Sequence, residues 1–226
     1  MTAWEQWLRD FMRSWFGGLV DGIWDLEKED RNRLISSLQM VVTEFDEFKP
    51  FLIAWMNIED RNKLKQDIQA SFDSITEFDN KAKHFFQIWY GALILGVQEL
   101  ETASVGLVFR YTGEKCAESF AKSTFLETWK ESQSFESFIA GLNQKIGDGA
   151  ELFQIIDDNT IEATYPRCFC PLVDFGLVSS PLICNCSDSW LKSNFKSAMR
   201  KDVVVDRLES VRSGSDKCRF RIRFND

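Results

Sequence analysis

The stretch DVVVDRLESVRSGSDKCRFRIRF (202–224) decides the fold that the sequence predicts. Val203 to Val211 is rich in valine, and Lys217 to Phe224 alternates apolar and basic residues. Ser213-Gly214-Ser215 separates these two parts with residues that favour a tight turn. Successive side chains of a strand point to opposite faces. The stretch therefore predicts a β-hairpin whose second strand has an arginine-bearing solvent face and a buried face formed by Cys218, Phe220, Ile222 and Phe224.

A second hairpin is predicted upstream. Residues 151–156 and 160–165 have the pattern of strands, and Asp157-Asp158-Asn159 between them favours a tight turn. Apolar residues at helical spacing predict helices over 134–145 and 187–200. The order helix, hairpin, cysteine-rich loop, helix, hairpin indicates an α+β fold, with an antiparallel sheet of two hairpins and helices on one face of it.

The first half of the chain is predicted to be helical. Trp7, Leu8, Phe11, Trp15 and Phe16 recur at helical spacing, and Gly17-Gly18 is expected to end or kink that first helix. The sequence suggests a helical N-terminal region over 1–109 and a ligand-binding domain over 110–226. One continuous domain is the alternative.

Five of the six cysteines follow residue 167, in the pattern Cys168-Phe-Cys170, Cys184-Asn-Cys186 and Cys218. In an extended segment residues i and i+2 face the same way, so each pair is expected to face one point. Thiolate-rich sites suit zinc or iron–sulfur clusters. The pattern predicts a metal site with these five cysteines as candidate ligands and zinc as the metal, while iron, a reversible disulfide or inert buried thiols remain open.

The motif CxC-PLV…CxCS-x₂-WLK-x₂-F, followed by the hairpin above and preceded by Gly113-Glu-Lys-Cys116-Ala, resembles a known family. It is similar to the cysteine-rich bacterial and archaeal branch of the 4-vinyl reductase-type small-molecule-binding domain. The wider fold group of that domain includes vesicle-tethering subunits of the TRAPP type. The resemblance covers about residues 110–226 and treats Gly113 to Ala117 as a helix start.

This resemblance implies a dimeric sensor or carrier of a hydrophobic small molecule, with an apolar chamber and a structural zinc in some members. Zinc-bearing relatives pair a glutamate with cysteines on the final hairpin, which makes Glu209 a candidate here either to bind the metal or to form a hydrogen bond with one of its ligands. The chain departs from those relatives at Ser210, where another cysteine would be expected. The resemblance also leaves open a metal-dependent hydrolase of a thiazoline-like substrate and a non-catalytic interaction module.

Composition narrows the function further. The formal charge is −8, which disfavours general nucleic-acid binding. The longest apolar stretch, about 85–97, is shorter than the roughly 20 residues that a bilayer span needs. No export signal is recognisable at the N-terminus, so a cytoplasmic location with reduced thiols is expected. The single histidine, His84, lies on a predicted helix far along the chain from the cysteine pairs, so the sequence favours a binding protein over an enzyme.

Overall fold

A computed structural model describes residues 3–56, 60–75 and 77–225. The helices are α1 (Ala3–Trp24), α2 (Lys28–Gln39), α3 (Lys49–Met56), α4 (Arg61–Ser74), α5 (Asn80–Gln98), α6 (Thr102–Phe120), α7 (Lys122–Glu131), α8 (Phe135–Ile146), α9 (Pro171–Asp174) and α10 (Asn185–Met199). The strands are β1 (Phe153–Asp157), β2 (Thr160–Tyr165), β3 (Asp202–Glu209) and β4 (Cys218–Asn225). The predicted α+β class is confirmed.

The two hairpins form one antiparallel sheet in the order β1-β2-β4-β3. Strand β4 is central, since Ala163 of β2 and Arg207 of β3 both pair with Phe220. The apolar residues of its inner face are buried with those of α7, α8 and α10, for example Phe125, Phe138 and Phe195. The helices therefore cover one face of the sheet, as the sequence predicted. Residues 121–225 without the cysteine segment (166–186) are called the sheet half below.

The aromatic residues of α1 to α5 form a second core. The Phe16 ring lies 5.1 Å from Phe51, 5.2 Å from Phe72 and 4.8 Å from Trp89, measured between centroids. Trp15, Trp55 and Trp89 are among the large side chains that are fully buried there. Rings of this size fill the interior of the helical half (residues 3–109) by packing edge to face and stacked against one another.

Helix α1 does not end at Gly17-Gly18, as the sequence suggested, but continues to Trp24. The reason is tertiary. A Cβ on Gly18 would lie 2.5 Å from the Tyr111 carbonyl oxygen, and a Cβ on Gly22 would lie 2.4 Å from the Val108 carbonyl oxygen. The glycines permit the backbones of α1 and α6 to touch, and this contact holds the helix together despite its low local propensity.

Helix α6 connects the two cores. It packs against α1 on one side and α10 on the other. The motif at Gly113 therefore lies inside a helix that starts at Thr102, and not at a helix start. The boundary suggested at residues 109 and 110 also falls within α6, so the division into two domains stays a prediction.

Candidate functional site

The cysteine segment lies against the helical half, although it follows the first hairpin in the chain. Leu172, Leu177 and Ile183 of this segment, and also Cys184 and Cys186, belong to the aromatic core of α1 to α5. Cys218 belongs to the core of the sheet half. All six cysteines are free thiols. The candidate ligands are thus gathered at the seam between the two cores.

The second cysteine pair is not extended. Cys184 ends a 3-10 turn (Pro181–Cys184) with helical backbone angles, and Cys186 lies in the first turn of α10. Residues i and i+2 of a helix point to different sides, because each residue turns the chain by about 100°. The prediction that this pair faces one point is therefore not met, and the physical reason is the helical conformation that begins at Pro181.

The two thiols of this pair have different partners. The Cys186 sulfur lies 3.0 Å from the Thr112 hydroxyl of α6 and also forms a hydrogen bond with the Trp15 side chain. The Cys184 sulfur lies 3.2 Å from the Ser210 hydroxyl, on the opposite side of the seam. Cys186 is thereby tied to the helical half, whereas Cys184 is tied to the connection between β3 and β4.

Ser210 begins a short turn that also contacts Cys218. The Cys218 sulfur accepts a hydrogen bond from the Val211 backbone N–H at 3.4 Å, and the Ser210 hydroxyl accepts one from the Arg212 N–H at 3.1 Å. Cys168 is close enough to both Cys184 and Cys218 for their charges to affect its pKa. Ser210, which the sequence identified only as a departure from the family pattern, thus contacts the Cys184 sulfur and begins the turn whose Val211 N–H donates to Cys218.

Burial controls the ionisation of these thiols. It raises the pKa of Cys170 to about 12, with further upward contributions from Cys168 and Cys184. Burial also raises the pKa values of Cys168, Cys184 and Cys186 above the ordinary thiol range. Without a bound cation these thiols are protonated at neutral pH, which makes them poor nucleophiles.

A charged pair lies beside Cys184. Arg207 Nη1 is 3.7 Å from Asp188 Oδ2, while Arg207 Nη2 donates to the Asn185 side chain at 3.2 Å. Burial raises the pKa of Asp188 to about 6, against the lowering effect of Arg207. The same guanidinium counteracts the effect of burial on the pKa of Cys184. Sequence reasoning missed this pair, since nothing in the local pattern connects β3 with the start of α10.

The described side chains around the cysteines do not have the arrangement that a metal ion requires. Within the described part of the chain, no group of three or more histidine, cysteine, aspartate or glutamate side chains has the arrangement to hold a metal. The thiols are close to one another but are occupied by protein hydrogen bonds. Glu209 accepts a hydrogen bond from Arg219 Nη1 at 2.6 Å, on the outer face of the sheet beside Glu162. A metal site is therefore not formed by the side chains as they stand.

A groove of about 660 Å³ runs between α5 and the cysteine segment. Its walls are largely apolar, with Ile94 and Leu95 from α5 and Val173, Leu177 and Val178 from the cysteine segment. Leu95 is 65% exposed, so a large apolar side chain stands open to solvent at the rim. This volume falls within the range of small-molecule sites, roughly 300–1,000 Å³.

Arg212 and Tyr90 are polar lining residues that can recognise a ligand head group. Arg212 lines it, and its guanidinium donates to the Ser179 carbonyl oxygen through Nε at 3.0 Å and Nη2 at 2.8 Å. Tyr90 also lines it, is fully buried, and has a hydroxyl without a hydrogen-bond partner among the described residues. Burial and the nearby Cys170 and Cys186 raise the pKa of Tyr90 well above its ordinary value, so the hydroxyl stays protonated.

Comparisons with known proteins give little. No family model matches the chain, and no curated protein matches it. Among solved structures, the crystal structure of a trafficking protein particle complex subunit 3 from Naegleria fowleri covalently bound to palmitic acid is similar at a TM-score of 0.39 and 11% sequence identity. The match covers 66% of this chain and 98% of that chain. A likeness at this TM-score carries no argument about fold or function. The family resemblance found in the sequence therefore stays a prediction.

Within the described residues, no helix has the length and apolar character that crossing a membrane requires. The homodimer, the cytoplasmic location and the lack of nucleic-acid binding stay predictions from the sequence.

Proposed function

We propose that this protein binds a hydrophobic small molecule with an anionic head group in the groove between α5 and the cysteine segment. The observation that carries the proposal is the Tyr90 hydroxyl, which is buried and has no hydrogen-bond partner among the described residues, in a residue that lines a largely apolar groove. A buried hydroxyl left unpaired costs about 1–3 kcal/mol. A ligand atom that accepts a hydrogen bond from this hydroxyl would remove the free-energy cost of leaving it unpaired, which would explain why a tyrosine lies at this position.

Arg212 supports the anionic head group. Its guanidinium carries five N–H donors, of which those on Nε and Nη2 are directed at one carbonyl oxygen, leaving capacity for a carboxylate or sulfonate. The apolar rim at Leu95 supports the hydrophobic part of the ligand, because covering its exposed surface is favourable by about 25 cal/mol per Å². A sensor or carrier that takes up its ligand from solvent fits a groove of this kind better than a site with a reactive thiol.

The test uses 8-anilinonaphthalene-1-sulfonate, an apolar fluorophore with one sulfonate. We expect saturable binding to the folded protein and weakening by about fivefold or more in Leu95→Gln and in Arg212→Gln. Ile88→Gln is the matched control for the first variant, because Ile88 is an exposed apolar residue of α5 outside the groove lining. Arg221→Gln is the charge-matched control for the second.

Two outcomes contradict this proposal. One is non-saturable fluorescence that grows in proportion to the probe. The other is equal weakening by the control variants, which would mean that the probe binds elsewhere. Thermal unfolding of each variant separates lost binding from lost folding, and Leu95 is suited to this because its exposure makes a polar replacement harmless to the core.

The cysteine-ligated zinc is a second proposal, favoured by the electrostatic proximity of Cys168 to Cys184 and Cys218. Cys170 and Cys186 are the further candidate ligands. Zinc bound there would fasten the cysteine segment to the connection between β3 and β4 and would brace one wall of the groove. It requires the sulfurs to exchange their protein hydrogen bonds for the metal.

Elemental analysis of protein purified under reducing, anaerobic conditions tests the zinc proposal. One zinc per chain, lost in Cys168→Ser and kept in Cys116→Ser, is the expected result. Iron with visible absorbance would favour the iron or iron–sulfur alternative instead. Metal-free protein whose thermal stability does not respond to added zinc would contradict both.

A further inference from the structure

A second groove, of about 420 Å³, lies between α6 and α10. It is separate from the groove beside α5, since the two share none of their lining residues. The helices touch closely at Gly113, where a Cβ would lie 2.3 Å from the Cys186 carbonyl oxygen. Gly106, which lies on the same helix two turns before Gly113, lines the groove and has nothing within 4 Å of the position of an added Cβ. The close crossing and the small residue beyond it leave open space along the helix pair.

The charge of this groove is opposite to that of the chain. Arg110, Lys192 and Lys196 line it, together with the carboxylate of Glu114, whereas the chain as a whole carries −8. Arg110 is also paired with Asp25 at 3.5 Å, so the two lysines supply most of the charge that is available to a ligand. Lys196 has an acidic neighbour only at 3.9 Å, in Asp202, and both side chains of that pair are largely exposed. An exposed pair of this kind contributes little, so the ammonium group remains available to a ligand.

Three serine hydroxyls complete the lining. Ser189, Ser193 and Ser197 lie at i, i+4 and i+8 on one face of α10, and all three line the groove. Among the described residues, none of these hydroxyls has a hydrogen-bond partner, although each is only partly exposed.

Several other helical serines of this chain behave differently. Ser36, Ser37, Ser71 and Ser119 each donate to the carbonyl oxygen four residues earlier, at 2.7–3.3 Å. Such a bond to the preceding turn is the ordinary fate of a helical serine. The three serines of α10 that line the groove form no such bond among the described residues, so their hydroxyls can bind a ligand there.

We propose that this groove is a binding site for a soluble phosphate-bearing small molecule. Phosphate oxygens are acceptors that match hydroxyl, ammonium and guanidinium donors together, and charge-assisted hydrogen bonds of this kind are about twice as strong as neutral ones. The recognition uses side chains and not a glycine-rich loop, and the sequence contains no such loop. This site does not depend on the hydrophobic-ligand groove proposed above.

The test uses inorganic pyrophosphate and isothermal titration calorimetry at low ionic strength on the full chain. We expect binding that weakens by about tenfold or more in the double variant Lys192→Gln/Lys196→Gln, because two charge-assisted contacts are lost. The double variant Lys130→Gln/Lys217→Gln is the matched control, since it removes the same charge from exposed positions outside the groove. Its affinity should stay within about twofold of the unaltered chain.

Gly106→Glu is a second variant that does not threaten folding. Its side chain enters open space and glutamate has a higher helix propensity than glycine. It should weaken pyrophosphate binding by adding bulk and negative charge, while the thermal midpoint stays level or rises.

Three results would overturn the proposal: no heat of binding at millimolar pyrophosphate, equal weakening in the control double variant, or unchanged binding in Gly106→Glu. Cosedimentation with phosphatidylcholine vesicles containing phosphatidate separates the sources of phosphate. Binding confined to these vesicles, with none to pyrophosphate, would likewise reject a soluble ligand.

Discussion

The helical half and the sheet half of this protein are built on different contacts. In the helical half, distant helices meet where glycines admit a neighbouring backbone, as Gly18 admits the carbonyl oxygen of Tyr111. In the sheet half, neighbouring strands pair through a regular ladder of backbone hydrogen bonds. Apolar residues at alternate positions form one face of the sheet, and the helices cover that face. The first kind of contact depends on partners far away in the chain. The second kind leaves a pattern in a few consecutive residues.

The seam between the halves combines both kinds. Cys186 is packed among the helices with Thr112, while Cys184, two residues away, contacts Ser210 after strand β3. The two cysteines of one motif thus lie in the same core but form hydrogen bonds with different parts of the protein. The two sulfurs of a Cys-x-Cys pair point the same way only where the backbone is extended, and at Cys184 it is helical.

The largest expected effect comes from emptying either core. Phe16→Ala in the helical half and Phe195→Ala in the sheet half each remove a fully buried ring, at a cost of about 4 kcal/mol in free energy of unfolding. Because α6 packs on both α1 and α10, we expect one cooperative transition that both substitutions lower. Chemical denaturation followed by circular dichroism and by tryptophan fluorescence measures this. Two separate transitions, each shifted by only one variant, would establish two domains.

The next effect distinguishes adjacent glycines of α1. Gly18→Ala should lower the free energy of unfolding by about 2 kcal/mol, because its methyl group collides with the backbone of α6. Gly17→Ala is the matched control: nothing lies within 4 Å of its Cβ position, so it should stabilise the helix by about 1 kcal/mol. Thermal unfolding of both variants gives the comparison. Equal signs would contradict the close contact between α1 and α6.

A smaller effect concerns the turn of the final hairpin. Gly214 has a φ of +95°, and its Cβ position is free of neighbours, so only backbone strain opposes a side chain there. Gly214→Ala should cost about 1 kcal/mol, and Gly214→Asn less, because asparagine tolerates left-handed conformations better. Thermal midpoints measure both. An alanine variant as stable as the unaltered protein would mean that the turn is not held in this conformation.

The smallest effect lies on the outer face of the sheet. Hydrogen bonds from Arg219 hold the pKa of Glu162 below its ordinary value. The pair therefore stabilises the fold at pH values above the ordinary glutamate pKa, and this contribution disappears as the pH falls through the lowered pKa. Glu162→Gln should cost about 0.5 kcal/mol at neutral pH and nothing in acid.

Urea denaturation at neutral and acidic pH measures this difference, with Glu127→Gln on the exposed face of α7 as the control. A loss in Glu162→Gln that is the same at both pH values would show that the ion pair is not its cause.

The hairpins were predicted well because their signals are local. Strand β2 has the predicted bounds, 160–165. Each end of the other three strands differs from the prediction by one or two residues. The candidate site was predicted less well. The cysteines lie near one another, but the helical turn at Cys184 separates the directions of that pair. Tyr90 and Arg212, which line the same groove, are more than 100 positions apart, so no sequence window contains both.

The α+β class, the two hairpins and the buried face of the last strand could be predicted from the sequence alone, because alternation and helical spacing are properties of neighbouring residues. Three features became visible only in the folded chain: where the cysteine segment packs, that α1 continues past Gly17-Gly18, and which serines of α10 lack a hydrogen-bond partner among the described residues. These features arise from contacts between distant parts of the chain, and the free energy of such contacts has no signature in local sequence.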